Sequence, residues 1–233
     1  MLLTKYHNAE NIEVSFDDGI KLKKRNFTNI KQIKNPNRIT VCGVGKLGYV
    51  YTKGIKGKNH RKCYYTWRNM IGRCTVEEIQ ERQPTYKNCN IEDNWFSFDN
   101  FENWYNSQYY ECEEKLELDK DILVHNNKTY GEKFCCLVPK RINLLISKSR
   151  LSKEFGLPVG VSKKRERFCV GGTKVNNNTV YLGIYDTPEE AFLVYKKYKE
   201  DMIKMVADDY KQRGQITEKV YQALMNYEVD ITD

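Results

Sequence analysis

The stretch GVSKKRERFCVGGTKVNNNTVYLGIYDTPEEAFLVYKKYKE (residues 160–200) decides the fold of the carboxy-terminal part of this chain. Its first half consists of short alternating runs of apolar and polar residues, a pattern typical of strands. Its second half opens with a helix start signal: Thr187 as N-cap, Pro188 at the first helical position and Glu190 reaching back. The pattern predicts a three-stranded sheet packed on one helix, with cationic side chains on the sheet. Such a surface fits a nucleic-acid groove better than a small substrate.

The helix that follows the sheet is expected to bury one stripe of side chains and to end at Gly214, after which Thr217 caps a shorter terminal helix. The predicted stripe consists of Ala191, Val194, Tyr195, Tyr198 and Met202.

The same stretch resembles the Apetala/ethylene-response-factor DNA-binding domain, a family best known in plants that also occurs in mobile-element and phage nucleases. The residues that carry the resemblance are Gly160-Val161, Phe168, Leu182-Gly183, Tyr185, Thr187, Glu189-Glu190-Ala191 and Tyr195. The resemblance implies that the sheet lies in the major groove and that its Arg and Lys side chains contact bases and phosphates. The implied DNA-binding residues are Lys163, Lys164, Arg165, Arg167, Lys174 and Tyr181. Cys169 and Val170 stand where many members carry Ala, so a sequence preference does not carry over.

Composition agrees with a globular protein that has a polyanionic partner. The chain has 233 residues, 40% of them hydrophobic and 30% charged, and a formal net charge of +8. No apolar run approaches the roughly 20 residues of a membrane span, and no secretory segment opens the chain. We therefore expect a cytoplasmic protein that does not contact a membrane. Its eight cysteines include no C-x-x-C pair and are expected to be reduced thiols. A metal cluster of Cys74, Cys89 and Cys135 stays open as an alternative.

Residues 1–57 read as β structure. The run IEVSF (12–16) alternates, Asp17-Asp18-Gly19 signals a turn, and the run IKLKK alternates again. Further glycine-rich and β-branched residues follow. This pattern predicts a small β-barrel-like module or a curled sheet of short strands.

Residues 58–150 read as a mixed segment. Trp67, Met70, Ile71 and Cys74 recur at helical spacing, and Phe98, Phe101 and Trp104 share one face of a second helix. We expect these three aromatic residues to be core, with a base-stacking platform as the alternative. Two extended pieces flank a polar turn at Asn126-Asn127, and Pro139 opens a helix.

This segment resembles HNH nucleases of the phage type. The matching residues are Trp67, Met70, Arg73-Cys74, Tyr86-Lys87-Asn88, Trp95, Phe98, Phe101, Leu118-Asp119, Tyr130, Cys135 and Asn143. The resemblance implies a ββα module in which an Asp and a helix residue hold one divalent metal, such as Mg²⁺, on the scissile phosphate. A His activates water in that family, and an Asn orients the His.

Two of these positions match and two do not. Asp119 stands at the metal-binding Asp and Asn143 at the helix ligand. Lys120 replaces the His, and a protonated Lys is a poor base. Phe134 replaces the middle Asn. His125 is a candidate substitute base, with an exposed turn residue as the alternative, and Asp121 is a candidate for a further metal contact.

We therefore predict an α+β protein in three parts: a small β-barrel-like module (1–57), a degenerate HNH-like module (58–150) and a sheet-plus-helix DNA-binding module (151–233). The predicted function is double-stranded DNA binding, in the manner of a phage homing-endonuclease relative whose cleavage is weak or lost. One alternative is a metal-dependent endonuclease or nickase. Another is a phage counter-defence inhibitor, for example an anti-CRISPR-like protein, that contacts a host defence protein or another phage protein through residues 1–57.

Overall fold

The structure is a computed structural model that describes residues 1–8, 11–24, 33, 35–48, 58–147, 156–175 and 178–231; for residues 24, 39, 58, 172–175, 178 and 179 it describes the backbone alone. Helices alternate with several small sheets, so the predicted α+β class is confirmed. The chain forms two compact units, one of Met1–Gln108 with Lys128–Glu132, the other of Tyr109–Asn127 with Lys133–Asp233. The boundary predicted after residue 57 adjoins a segment outside the described residues, and the boundary predicted after residue 150 falls within another. The three-part division therefore stays a prediction.

Within the described residues, the first unit contains three helices, four strands of three or more residues, three two-residue strands and two 3₁₀ turns. They are β1 Leu2–Asn8, β2 Asn11–Ser15, β3 Lys21–Lys24, β4 Ile39–Val41, α1 Lys58–Thr75, α2 Glu77–Arg82 and α3 Phe98–Gln108, with the short β5 Gly45–Lys46, β6 Asn90–Ile91 and β8 Thr129–Tyr130 and 3₁₀ turns at Pro84–Tyr86 and Asp93–Phe96. The strands β1, β2 and β3 form an antiparallel sheet, β4 pairs antiparallel with β5, and β6 pairs parallel with β8.

Within the described residues the amino-terminal strands form an open sheet and do not close into a barrel, which agrees with the curled-sheet alternative. The predicted turn is present, because Phe16 and Gly19 close it by backbone hydrogen bonds. All seven residues of β1 are exposed, however, and the core under the sheet is small. It consists of Ile12, Val14, Leu22 and Ile33, with Phe16 packed against it. One short apolar row can cover a single face of an open sheet, but it cannot fill a barrel.

The predicted aromatic face of α3 is core, which confirms that prediction over a stacking platform. Phe98 and Phe101 are fully buried and Trp104 is 5% exposed. Trp95 packs against Phe101 and Trp104, with ring centroids 5.0 and 4.6 Å away. The Trp67 indole N–H on α1 donates to the Trp95 carbonyl at 2.8 Å, which satisfies a buried polar atom.

The second unit contains β7 Leu116–Asp119, β9 Cys136–Pro139, α4 Lys140–Leu145, β10 Val161–Lys164, β11 Arg167–Val175, β12 Asn178–Tyr185, α5 Pro188–Gln212 and α6 Glu218–Met225. β7 pairs antiparallel with β9, and α4 follows β9 directly, with Pro139 as its N-cap. This order is β, β, α, the topology that the HNH resemblance implies.

The sheet-plus-helix arrangement predicted for residues 160–200 is present. β10, β11 and β12 form an antiparallel sheet, and Thr187 caps α5 by accepting a hydrogen bond from the Glu190 backbone N–H. The sheet and the start of α5 share a core made of Val159, Val161, Val170, Ala191, Phe192 and Val229. Gly160 has a φ of +75°, and a Cβ there would overlap the Tyr195 ring, so only glycine fits where the chain enters the sheet.

The helix α5 is 25 residues long and serves two cores. Its first turn packs on the sheet, whereas its last turns join the ββα elements and α6 in a second core. The predicted stripe is therefore only partly right: Ala191 is buried, but Val194, Tyr195, Tyr198 and Met202 are half-buried between the two cores. The residues of α5 that are buried are Ala191, Phe192, Ile203, Val206, Ala207 and Tyr210. Within the described ranges, no helix has the length and apolarity needed to cross a membrane.

Candidate nucleic-acid interface

The β10–β11 hairpin places two predicted DNA-binding cations side by side. Lys164 pairs with Arg167 across the hairpin, and Val161 pairs with Val170. Successive side chains of a strand point to opposite faces, and paired residues share a face. Because Val161 and Val170 face α5, Lys164 and Arg167 lie on the other face. We call this the open face of the sheet; its exposed side chains are Ser162, Lys164, Arg167 and Tyr181.

Tyr181 extends the open face to the third strand. It pairs with Gly171, and its side chain is 62% exposed. A register shift lies between Val170 and Gly171, and Gly183 has a φ of +132° at this point. The irregularity lets Leu182 and Tyr185 pack on the core while Tyr181 stays in solvent.

Lys163 and Lys174 do not join this group. Lys163 is exposed, but it pairs with Phe168, which packs against the core under α5, so alternation puts Lys163 on the helix side. The backbone of Lys174 pairs with Thr179, and its side chain lies outside the described residues.

Arg165 occupies the first position of the two-residue turn that joins β10 to β11. It is exposed and has a φ of +57°. Glycine is usual where a hairpin turn needs positive φ, and an L-residue there costs on the order of 1 kcal/mol. The turn thus holds a third cation at the end of the open face in a backbone conformation that arginine disfavours.

An acidic residue that the sequence reading missed touches the open face. Arg167 Nε lies 2.8 Å from Asp186 Oδ1, with both side chains more than half exposed. The pair lines a shallow groove of about 460 Å³ together with Ile184, Tyr185, Glu190, Leu193 and Val194. Exposed ion pairs are weak because water screens them, so Arg167 can exchange this partner for a phosphate. Asp186 directly follows β12, and that position in the sequence does not indicate a contact with Arg167.

The predicted nuclease residues form a tightly bonded loop after β7. Asp119 is buried, and its Oδ1 accepts hydrogen bonds from the backbone N–H groups of Asp121 (2.7 Å) and Ile122 (2.8 Å). Burial raises the pKa of Asp119 to about 6, and the hydrogen bond from Ile122 offsets this in part. This carboxylate therefore shapes the turn that follows the strand.

Lys120, the predicted replacement for the catalytic His, is buried in the same loop. Its Nζ donates to Asp121 Oδ1 at 2.6 Å and to the Asn127 carbonyl at 2.8 Å, while Asn127 Nδ2 donates to the Lys120 carbonyl at 2.9 Å. An ammonium group that donates to a carboxylate and a carbonyl has no lone pair for accepting a proton from water. His125, the candidate substitute, is exposed, and its ring meets Tyr227 edge-on with centroids 5.6 Å apart.

Asn143, the predicted helix ligand, is bonded to a residue that the sequence reading missed. Its Nδ2 donates to Glu117 Oε2 at 2.8 Å. Glu117 stands two positions before Asp119 and shares its face of β7, so strand alternation was the available signal. Asp119, Asp121 and Asn143 are thus each committed to another partner. The part of the chain that the structure describes contains no group of three or more His, Cys, Asp or Glu side chains able to hold a metal. The Asp119 and Asn143 pair that the resemblance implies is smaller than such a group and stays a prediction. The eight cysteines, all among the described residues, form no disulfide.

No protein family, curated protein or solved structure matches this chain.

Proposed function

We propose that this protein binds double-stranded DNA through the open face of the β10–β12 sheet. The observation that carries the proposal is the paired placement of Lys164 and Arg167 on the face opposite α5, with Arg165 in the adjoining turn. The resemblance to the Apetala/ethylene-response-factor domain and the net charge of +8 support it.

The dimensions of the sheet suit the major groove. Three strands about 4.8 Å apart span roughly 10 Å, and the major groove is about 12 Å wide. α5 packs on the other face, so it stiffens the sheet without standing between the sheet and the duplex. Guanidinium groups can read guanine or bind phosphate, and the Tyr181 hydroxyl can donate or accept a hydrogen bond.

We infer that the ββα elements contribute structure to this protein and that cleavage is weak or lost. The ammonium of Lys120 is paired with Asp121, and Asn143 is bonded to Glu117. A divalent-metal endonuclease or nickase is the alternative, and plasmid nicking with Mg²⁺ or Mn²⁺ tests it. Nicking by the wild type that disappears in Asp119→Ala would establish the alternative over our inference.

A second candidate function, protein contact by the amino-terminal sheet, is favoured by one observation. Among the described residues, β1 pairs with β2 alone at the edge of its sheet, and it exposes Leu2 (70%), Leu3 (41%) and Tyr6 (65%). An exposed apolar edge strand is a common place for another chain to add a strand. A host defence protein or another phage protein is the partner we propose for this edge, in the cytoplasm of the host cell. A stoichiometric protein that co-purifies after nuclease treatment, and is lost in Leu2→Lys/Tyr6→Lys, would support this function.

Fluorescence anisotropy with a labelled duplex, from 50 to 200 mM salt, tests DNA binding. We expect the logarithm of the wild-type affinity to fall linearly with the logarithm of the salt concentration. Lys164→Gln/Arg167→Gln should lower the affinity about tenfold and reduce the slope of that line by about two. The matched control is Lys197→Gln/Arg213→Gln, which removes the same charges from exposed positions already paired with carboxylates. Equal losses in the two double variants would contradict the proposal.

A further inference from the structure

An arginine-lined groove lies between the two helices α1 and α2 in the first unit. Its volume is about 640 Å³. The residues that line it are Cys42, Arg68, Asn69, Gly72, Arg73, Val76, Ile79, Arg82 and Gln83. Three of the nine are arginines, two carry side-chain amides, and none is acidic.

The sequence places these cations together by helical spacing. Arg68, Gly72 and Val76 recur every fourth residue, as do Asn69 and Arg73, so they share one face of α1 and its exit. Gln80 of α2 donates to the Arg73 and Cys74 carbonyls, which fixes α2 against the end of α1. Val76 and Ile79 add apolar surface to the lining of the groove.

Two of the three arginines are held in position by contacts other than an ion pair with a carboxylate. Arg73 lies over the Tyr86 ring, with its Cζ 4.9 Å from the ring centroid, and Arg82 Nε donates to the Glu78 carbonyl at 3.0 Å. Arg68 is exposed. Among the described residues, no ion pair joins any of the three to an acid. Glu77, Glu78 and Glu81 are on α2, but none lines the groove.

We propose that this groove binds the phosphodiester backbone of a nucleic acid. Guanidinium forks match pairs of phosphate oxygens, and the amides of Asn69 and Gln83 add neutral donors. The inference rests on the proposed function for its partner, duplex DNA, and adds a second contact on the other unit. Because backbone contacts carry no base information, the groove contributes affinity without sequence preference.

The experiment compares two pairs of variants by the same anisotropy titration. The groove variant is Arg68→Gln/Arg82→Gln, which spares the half-buried Arg73, and its control is Arg38→Gln/Arg61→Gln, two exposed arginines of the same unit that do not line the groove. Thermal melting of each variant checks that the fold is retained.

We expect the groove variant to lose about tenfold in affinity and to reduce the salt slope by about two, by the same factor on two duplexes of unrelated sequence. The control should bind like the wild type. A groove variant indistinguishable from its control would overturn the inference.

Measuring the DNA affinity of the sheet variant Lys164→Gln/Arg167→Gln in the same titration separates the proposal for the sheet from the proposal for the groove. Loss in the sheet variant alone leaves the proposed function standing and refutes the groove. Loss in the groove variant alone supports the groove and refutes the sheet. A wild-type protein that binds no duplex contradicts both.

Discussion

Lys164 and Arg167 face each other across the β10–β11 hairpin, and Asp186 holds the Arg167 guanidinium at 2.8 Å. Two cations that share one face would repel, and the neighbouring carboxylate offsets part of that repulsion. In a complex with DNA, phosphate oxygens would take over this role, and Asp186 would become an opposing charge.

Asp186→Asn should therefore strengthen binding. The variant frees Arg167 and removes a negative charge from the edge of the open face. We expect affinity for duplex DNA to rise severalfold at low salt, with the gain shrinking as salt screens the removed charge. Anisotropy titrations at two salt concentrations measure this effect. The control is Asp201→Asn, which frees Lys197 on α5, away from the open face; a similar gain there would contradict the role assigned to Asp186.

Arg165→Gly should separate stability from binding. Arg165 has a φ of +57°, which glycine adopts without the steric cost that arginine bears. We expect the free energy of unfolding to rise by about 0.5–1 kcal/mol while affinity for DNA falls severalfold, because a cation is lost from the turn. Chemical denaturation and anisotropy on the same sample give the two readouts. Affinity that stays at the wild-type value would show that the turn does not contact the duplex.

Asp119→Asn should change the pH dependence of stability. Burial raises the pKa of Asp119 from 3.8 to about 6, so the folded state binds a proton more tightly than the unfolded state in that range. This group therefore reduces stability as the pH rises from about 4 to about 6, with a total near 3 kcal/mol. The amide keeps an oxygen for the backbone N–H groups of Asp121 and Ile122, so the variant should be more stable than the wild type at pH 7.

Denaturant unfolding in metal-free buffer at pH 4.5 and pH 7 measures this difference, which should be larger at pH 7. Asp93→Asn, at an exposed aspartate, serves as the control and should change stability little at either pH. An Asp119→Asn variant that is less stable than the wild type at pH 7 would mean that its carboxylate charge stabilises the fold.

Local signals predicted much of the fold. The turn at Asp17-Asp18-Gly19, the Thr187 cap and the aromatic face of α3 are each encoded within a few residues of sequence, and each is present. Hydrophobic spacing also placed the three strands of the carboxy-terminal sheet. These features depend on neighbours along the chain, which a sequence shows directly.

Features that depend on distant partners did not follow from local patterns. The pairing of β7 with β9 across the 119–136 loop was implied only by the resemblance. The division of the buried residues of α5 between two cores, which half-buries Tyr198 and Met202, was not predicted. Alternation in residues 12–24 shows strands but not how much apolar surface they can enclose, so it could not decide between a barrel and a curled sheet. The sequence of β1 likewise has no periodic pattern that indicates which of its exposed surfaces a partner protein would cover.

The candidate site followed the same division. Alternation separates Lys164 from Lys163 only after the pairing of Val161 with Val170 in the folded chain identifies the helix side, so the sequence named both lysines. The contacts of Arg167 with Asp186 and of Asn143 with Glu117 join residues 19 and 26 positions apart and depend on the folded chain.

The comparison of Lys164→Gln with Lys163→Gln tests the central claim most directly. The two variants remove the same charge from adjacent exposed residues on opposite faces of β10. If the open face binds the duplex, Lys164→Gln should lower the affinity for DNA severalfold and Lys163→Gln should leave it nearly unchanged. Equal losses, or a larger loss for Lys163→Gln, would contradict the assignment of the open face as the DNA-binding surface.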